Sequence, residues 1–314
     1  MWANRVGMLA AILGAAAGGG FPQWNCNAPG CRRARAGDAS ARARTQASVA
    51  VSGDGGASWV LLNASPDLRQ QIEANDFLHP RTGLRSSPIA AVVLTGADVD
   101  AIAGLLVLRE RQPFAIHAAP RVLDVLDANP IFEVLARDIV ARQAVQPGSA
   151  VEMIRPDGGR CGLAIELFAV AGKVPLFLER PGEAPAVAED GNTVGACISD
   201  GHKRMFFIPA CAAMTPRLAR RLRAADLVCF DGTLWRDDEM IEAGLGAKSG
   251  LRMGHMSLSG PGGTLAAFAG LEVRRKVLIH INNSNPVLLD DSPEHAEVRA
   301  WGWEVGYDGM RIAL

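Results

Sequence analysis

Pro88-Ile-Ala-Ala-Val-Val-Leu-Thr95 runs directly into Gly-Ala-Asp-Val-Asp-Ala101. The first eight residues are apolar, short and rich in β-branched side chains, which predicts a strand buried on both faces. A helix is expected to follow from about Val99 to Arg109. Asp98 and Asp100 fall between the two elements, where their carboxylates could bind a hard cation at the edge of a cleft. They could equally stabilise the first turn of the helix through its dipole.

Outside this stretch, strands come in blocks rather than in strict alternation with helices. Ala47–Val51 and Ser58–Leu62 flank a Gly/Asp-rich turn and predict a hairpin. Further strands are predicted at 114–118, 150–154, 163–170, 194–199, 204–208, 226–230, 276–281, 303–307 and 310–314. Helices are predicted at 120–127, 131–143, 215–225, 261–270 and 291–300. Regular β-α alternation would make one parallel sheet. The hairpin and the clustered strands favour a single α/β domain over residues 1–314, with two mixed β-sheets packed face to face and flanked by helices.

The composition excludes several classes of function. The 314 residues carry a formal net charge of -1 and one tyrosine, so neither a basic surface nor a stacking platform for nucleic acid is expected. Six cysteines are spread thinly, which indicates no disulfide framework and favours the reducing cytoplasm. The apolar run Val6–Leu13 fits a first buried strand better than a secretory signal. No stretch reaches the ~20 apolar residues of a transmembrane helix, so no membrane partner is expected.

Two histidines and two polar residues near strand ends are further candidates for chemistry. His280 lies near the end of the predicted strand Lys276–Ile281, where it could bind a metal, move a proton or be a structural residue. His255 lies in a glycine-rich loop that would let a backbone approach a ligand closely, or that simply forms a turn. Asp231 and Asn282 also follow strands, and we expect them to contact substrate. The alternative for Asp231 is to cap a turn.

Several segments, in the same order over nearly the whole chain, are similar to one family. They are Gly14–Cys26, Arg42–Gln46, Leu61–Asp67, Gly254–His255, Ser259–Gly263, Val277–Asn283, Asp290–Pro293 and Tyr307–Met310. Together they resemble the pyrroloquinoline quinone (PQQ) biosynthesis protein B family.

The resemblance implies the αββα metallo-β-lactamase fold and a place in cofactor biosynthesis, beside other PQQ biosynthesis proteins. It also implies that the ligand is a small-molecule or dipeptide precursor of PQQ. Two roles are associated with the family. One is transport of the quinone or its precursor. The other is iron-dependent, oxygen-using hydroxylation of the tyrosine in a linked Glu-Tyr precursor.

The resemblance also shows where this chain departs from the metal-binding pattern of the superfamily. Gly96 and Ala101 stand where the family usually has an aspartate and a histidine, and Asp98 replaces a glutamine. Asp100 is retained, and His280 matches the last metal histidine of the superfamily. The imidazole missing at Ala101 predicts weakened metal binding.

Three further positions differ from the relatives. Ala210 falls near the superfamily's bridging aspartate, and Phe177–Glu183 replaces a histidine-rich loop common in the family. Ala28 stands where the family has a third cysteine beside Cys26 and Cys31. A structural zinc needs four ligands, so a zinc site at Cys26 and Cys31 is doubtful.

The candidate metal ligands are therefore Asp98, Asp100, His255 and His280, with Asp100 and His280 as the expected catalytic residues. Two histidines and one carboxylate can hold a mononuclear iron, and zinc is the alternative in the same cleft. Three hypotheses follow. The chain is a hydroxylase that needs this metal, a carrier that binds the quinone or its precursor without turnover, or a paralogue that has lost its metal site and its role.

Overall fold

Both expected sheets are present in the computed structural model, which describes residues 7–180 and 187–314. In spatial order the first sheet contains Met310–Ala313 (β14), Leu9–Gly14 (β1), Ser48–Ser52 (β2), Trp59–Leu62 (β3), Ile89–Leu94 (β4), Phe114–Ala118 (β5) and Val140–Ala144 (β6). Pairing is antiparallel from β14 to β3 and parallel from β3 to β6. The predicted hairpin is confirmed as β2 and β3.

The second sheet has the same division into a parallel and an antiparallel half. In spatial order it contains Glu304–Val305 (β13), Lys276–Ile279 (β12), Leu227–Asp231 (β11), Arg204–Ile208 (β10), Val194–Ser199 (β9), Arg160–Ala169 (β8) and Ala150–Ile154 (β7). Pairing is parallel from β13 to β10 and antiparallel from β10 to β7. Both sheets are therefore mixed, as predicted.

Short helices flank the two sheets. In the described ranges the α-helices are Pro29–Arg35 (α1), Leu68–Glu73 (α2), Val99–Ile102 (α3), Pro120–Ala128 (α4), Pro216–Leu222 (α5), Glu239–Glu242 (α6), Gly250–Met253 (α7), Thr264–Ala267 (α8) and Pro293–Ala300 (α9). Among the residues described, no helix has the length and apolar character needed to span a bilayer.

Successive side chains of β10 face two different hydrophobic cores. Phe207 packs in the core between the sheets, whereas Phe206 packs on the outer face with Leu218 of α5 and Phe268 beside α8. Side chains of a strand alternate between its two faces. Because both faces of this sheet are covered, its central strands can be apolar along their whole length. This explains why short apolar runs in the sequence predicted strands correctly.

Three sequence expectations need correction or restriction. The helix predicted over 131–143 is wrong: the chain forms a 3₁₀ turn at Pro130–Val134 and then β6, which pairs parallel to β5 at the edge of the sheet. Backbone pairing there overrides the helix propensity of alanine, arginine and glutamine. The helix expected at 99–109 is α3 followed by a 3₁₀ helix, Ala103–Leu108. The strand expected at Val6–Leu13 is β1, and Val6 itself lies outside the described residues.

Candidate metal centre

The four candidate metal ligands line one cavity at the edge of the sandwich. Asp98 and Asp100 follow β4 in the first sheet, His280 follows β12 in the second, and His255 follows α7. Each of β4 and β12 lies in a parallel half of its sheet, so the residues after the strands meet at the same edge. The cavity has a volume of about 130 Å³ and is lined by Ala47, Asn63, Thr95, Gly96, Asp98, Asp100, Ala101, Lys173, Thr193, Pro209, Ala210, Met253, Gly254, His255 and His280.

Asp100 and His280 form the closest pair in the cavity. The Oδ2 atom of Asp100 lies 2.8 Å from Nε2 of His280, and the two side chains are 19% and 14% exposed. His280 has a φ of 54°, in the left-handed region that non-glycine residues seldom occupy. Such a conformation costs of the order of 1 kcal/mol or more and is characteristic of functional sites. The fold therefore holds the His280 ring toward Asp100 at an energetic cost.

Beneath the two histidines, a buried Thr233 hydroxyl sets their tautomers. Its Oγ1 lies 2.6 Å from Oδ1 of Asp231 and 2.9 Å from Nδ1 of His280. The Nδ1–H of His255 donates to the other oxygen of Asp231 at 2.7 Å. The hydroxyl also lies 2.9 Å from the backbone oxygen of His280, but the shorter distance to Asp231 assigns its proton there, so Thr233 accepts from the Nδ1–H of His280. Both rings then carry a proton on Nδ1. Burial would lower the pKa of His280, but the hydrogen bond and the charge of Asp100 outweigh it and raise that pKa, so Nε2 of His280 shares a further proton with Asp100 that a metal ion would replace.

Asp231 itself is fully buried and lies below His255. Besides Thr233 and His255, the backbone N–H groups of Cys211 and Thr233 donate to its carboxylate at 2.8 Å and 3.0 Å. Four donors satisfy a buried carboxylate, and they place Asp231 as the group that orients His255. Asn282 donates to Ser284 Oγ at 2.6 Å. The expected contact of Asp231 and Asn282 with substrate stays a prediction.

The two carboxylates after β4 have opposite pKa shifts. Partial burial and the neighbouring charge of Asp100 raise the pKa of Asp98 above its ordinary value. Burial would also raise the pKa of Asp100, but the hydrogen bond and the charge of His280 outweigh it, so the pKa of Asp100 is lowered. Asp98 is the N-cap residue of α3, yet its side chain makes no capping hydrogen bond. Its carboxylate instead lines the cavity and accepts a long hydrogen bond of 3.4 Å from the backbone N–H of Leu176.

The donor set fits a metal ion. Two neighbouring ligands on a tetrahedral ion with bonds of ~2.1 Å lie roughly 3.4 Å apart, so Asp100 and His280, which are 2.8 Å apart, would separate slightly to hold one between them. His255 and His280 stack with their ring centres 5.1 Å apart. Among the described residues, the His/Asp group whose ligand atoms all lie within 4.8 Å of one another is Asp231, His255 and His280, so the carboxylate nearest to both histidines is Asp231, whereas Asp100 pairs with His280 alone. Metal-binding histidines typically donate their second ring N–H to a buried oxygen, as both do here.

Small residues occupy the positions where the superfamily has further ligands. Gly96, Ala101 and Ala210 all line the cavity. A Cβ added to Gly96 would meet Asp98 Oδ2 at 3.8 Å, which is ordinary contact. The cavity therefore includes the space in which the missing side chains would lie.

The cysteine pair does not form a comparable site. Cys26 and Cys31 are buried and unoxidised, and Cys31 Sγ accepts from Asn283 Nδ2 at 3.6 Å. Burial is the main cause that raises the pKa of the Cys31 thiol. Within residues 7–180 and 187–314, no third cysteine, histidine or carboxylate joins the pair. Two thiols supply half of a structural zinc site, so this pair does not fit that metal.

Two residues of the site were missed at the level of sequence. Thr233 contacts both histidines and Asp231, but a lone threonine in Asp231-Gly-Thr233 carries no recognisable pattern. Lys173 lines the cavity and pairs with Glu179 at 2.8 Å. It lies in a loop whose position only the fold defines.

The two mixed sheets and the His/Asp cavity at their edge define the chain as a member of the β-lactamase superfamily. The family model described as "Beta-lactamase superfamily domain" matches residues 58–281. Coenzyme PQQ synthesis protein B of Gluconacetobacter diazotrophicus is 62% identical over 301 residues, which cover 96% of this chain and 98% of the relative. Its counterpart in Xanthomonas campestris pv. campestris is 53% identical over 303 residues, covering 96% and 99%. The chain belongs to the coenzyme PQQ synthesis protein B (PqqB) family.

Solved structures agree with this assignment. Zn²⁺-bound PqqB from Methylobacterium extorquens superposes with a TM-score of 0.92 at 50% identity, over 98% of this chain and 100% of that one. A diphosphatase of the PhnP family gives a TM-score of 0.68 at 18% identity, over 98% and 97%. The second likeness concerns the fold alone. The chain is thus a PQQ biosynthesis protein with the metallo-β-lactamase fold.

Proposed function

We propose that the chain catalyses a metal-dependent, oxygen-using hydroxylation of the tyrosine-derived ring of a linked Glu-Tyr precursor of PQQ. The observation that carries the proposal is the pair Asp100 and His280, whose Oδ2 and Nε2 atoms lie 2.8 Å apart, while the bonds to Thr233 and Asp231 occupy only Nδ1 of His280 and His255. A carboxylate and an imidazole nitrogen at this distance share a proton between them, and a metal cation can take the place of that proton. Two histidines and a carboxylate are the ligand set of many non-haem iron oxygenases.

Asp100, His255 and His280 would hold the iron, with Asp98 as an additional carboxylate. Bound iron would supply the capacity to bind and activate dioxygen. Hydroxylation places one oxygen atom of dioxygen into a ring C–H bond, while the second leaves as water after taking up two protons and two electrons from an external reductant. The chain's own contribution is to fix the two imidazoles through Thr233 and Asp231 and to leave room beside them at Gly96 and Ala101.

A carrier role is the second candidate, and the small residues at Gly96, Ala101 and Ala210 favour it. A carrier needs the cavity and its rim, but it does not need the Asp100–His280 pair to bind a metal. In either role the precursor would come from, or be passed to, other proteins of PQQ biosynthesis. A cytoplasmic location remains the expectation from the cysteines.

Rescue of PQQ production separates the two candidates. A strain whose own copy of this family's gene is deleted would receive the wild type, Asp100→Ala or His280→Ala, each checked for equal expression. The hydroxylase proposal predicts rescue by the wild type and by neither variant. Rescue by all three would favour the carrier. Failure of all three well-expressed proteins would contradict both and favour a paralogue that has lost its role.

A further inference from the structure

A cluster of four charged side chains lies at the mouth of the cavity. The carboxylate of Glu179 pairs with Lys173 Nζ at 2.8 Å, with Lys248 Nζ at 2.9 Å and with Arg252 at 3.3 Å. Its side chain is 9% exposed. The ion pair with Lys173, followed by that with Lys248, lowers the pKa of Glu179 to about 2, so it is ionised at neutral pH. Three cations share one anion, which leaves this group of four with two excess positive charges.

Lys173 connects this cluster to the metal cavity. Lys173 lines the cavity together with Asp98 and His280. Its stem packs against the loop that carries His255, since a Cβ on Gly254 would lie 3.2 Å from Lys173 Cγ. Lys248 precedes α7 and Arg252 lies within it.

Solvent can reach two of the three cations. The side chains of Lys248 and Arg252 are 37% and 33% exposed, whereas that of Lys173 is 11% exposed. Lys248 and Arg252 therefore remain accessible to an incoming anion, while Lys173 links the cluster to the cavity wall.

An apolar strip adjoins the same charges. Leu176, Phe177 and Leu178 are 63%, 48% and 47% exposed, and they lie between Lys173 and Glu179 in the chain. The backbone N–H of Leu176 is 3.4 Å from Asp98 Oδ1, which places the strip at the rim of the cavity. Three consecutive exposed apolar residues are unfavourable in water unless they bind something. Two ion pairs of Glu179 fix this segment against α7 and the residues before it.

We propose that Lys173, Lys248 and Arg252, together with the strip Leu176–Leu178, form the subsite that binds an aromatic polycarboxylate. The carboxylates of the ligand contact the cations, its ring lies along the strip, and the rest of the ligand reaches the Asp100–His280 pair. Two excess charges match a ligand with at least two carboxylates. PQQ, an aromatic tricarboxylate, and a Glu-Tyr-derived precursor both have this chemistry. The inference rests on the proposed function and adds the residues that bind its substrate outside the metal centre.

Binding of PQQ to metal-free protein in the presence of a chelator tests the subsite separately from any reaction. The dissociation constant would be measured by equilibrium dialysis at low and at high salt for the wild type, Lys248→Gln and Arg252→Gln. Loss of one partly exposed cation is expected to weaken binding roughly 3- to 10-fold at low salt. The difference between wild type and variants should shrink at high salt. Phe177→Ala is expected to weaken binding at both salt concentrations, because it removes apolar rather than ionic contact.

Arg160→Gln is the matched control, because Arg160 is a 76% exposed arginine that pairs with Glu152 between the strands β7 and β8. Its PQQ affinity should equal that of the wild type. No saturable binding by the wild type, or equal affinity of Lys248→Gln, Arg252→Gln and the control, would overturn the subsite. Failure of the subsite is distinguishable from failure of the hydroxylase proposal. PQQ binding that depends on these residues, without any hydroxylation, would support the subsite and contradict only the hydroxylase. Iron content should be the same in all of these variants.

Discussion

Replacing Thr233 by valine should remove the hydrogen bonds that orient His280 and Asp231 while keeping the shape of the side chain. The hydroxyl donates to Asp231 at 2.6 Å and accepts from the Nδ1–H of His280 at 2.9 Å. Asp231 would keep three donors, but the Nδ1–H of His280 would lose the acceptor that fixes its tautomer. An unsatisfied buried donor costs about 1–3 kcal/mol. Loss of a hydrogen bond that orients a metal ligand typically lowers metal affinity about 10- to 100-fold.

The assay is a competition titration of Fe(II) or Zn(II) against a chelator, with urea unfolding of the metal-free protein beside it. Thr233→Val should lose 10- to 100-fold in metal affinity and about 1–3 kcal/mol in the free energy of unfolding. Thr233→Ser keeps the hydroxyl and should bind metal nearly as the wild type does. Thr215→Val removes the N-cap of α5, at about 1 kcal/mol, and should leave metal affinity unchanged. Affinity of Thr233→Val within threefold of the wild type would refute the assigned hydrogen bonds.

Two further predictions concern stability. Gly162 has a φ of 70°, and an added Cβ would lie 2.4 Å from the backbone oxygen of Gly53, so Gly162→Ala should lower the free energy of unfolding by more than about 2 kcal/mol. Gly158 also has positive φ, 84°, but opens onto free space; urea unfolding of Gly158→Ala should show a loss of only about 1 kcal/mol, and equal losses would contradict the packing argument. Burial lowers the pKa of His117 from 6.5 to about 4. Because the unfolded chain binds the proton more readily, the wild type should lose up to about 3 kcal/mol as the pH falls from 6.5 to 4. Unfolding curves of His117→Leu should lack this part of the pH dependence, and an identical pH profile would argue against a neutral buried His117.

The candidate metal ligands could be predicted because buried parallel strands appear in the sequence as short apolar runs. The apolar run before Asp98 and the run before His280 both predicted strands, and residues that follow such strands meet at one sheet edge. The edge strand β6 was missed, and a helix predicted in its place, for the opposite reason. Val140-Ala-Arg-Gln-Ala144 contains helix-forming residues and one apolar anchor, and only pairing with β5 makes it a strand.

The hydrogen bonds that orient the candidate metal ligands could not be predicted from the sequence. Thr233 contacts His280 only because β11 and β12 lie side by side, a relation fixed by sheet order and not by local pattern. Gly232 shows the same point. A Cβ there would lie 3.1 Å from the backbone oxygen of Ile279, so the reason for a glycine at this position is evident only once the neighbouring strand is known. The cluster around Glu179 likewise joins residues from distant parts of the chain.

Metal binding by the purified protein tests the central claim most directly. The wild type, Asp100→Ala and His280→Ala would be reconstituted anaerobically with Fe(II), freed of loose metal and assayed for bound iron, with circular dichroism to confirm that each is folded. We predict about one iron per wild-type chain and a large loss in both variants, since each lacks one of the paired ligands. A folded wild type that retains no iron, or variants that retain as much as the wild type, would contradict a metal centre at Asp100 and His280.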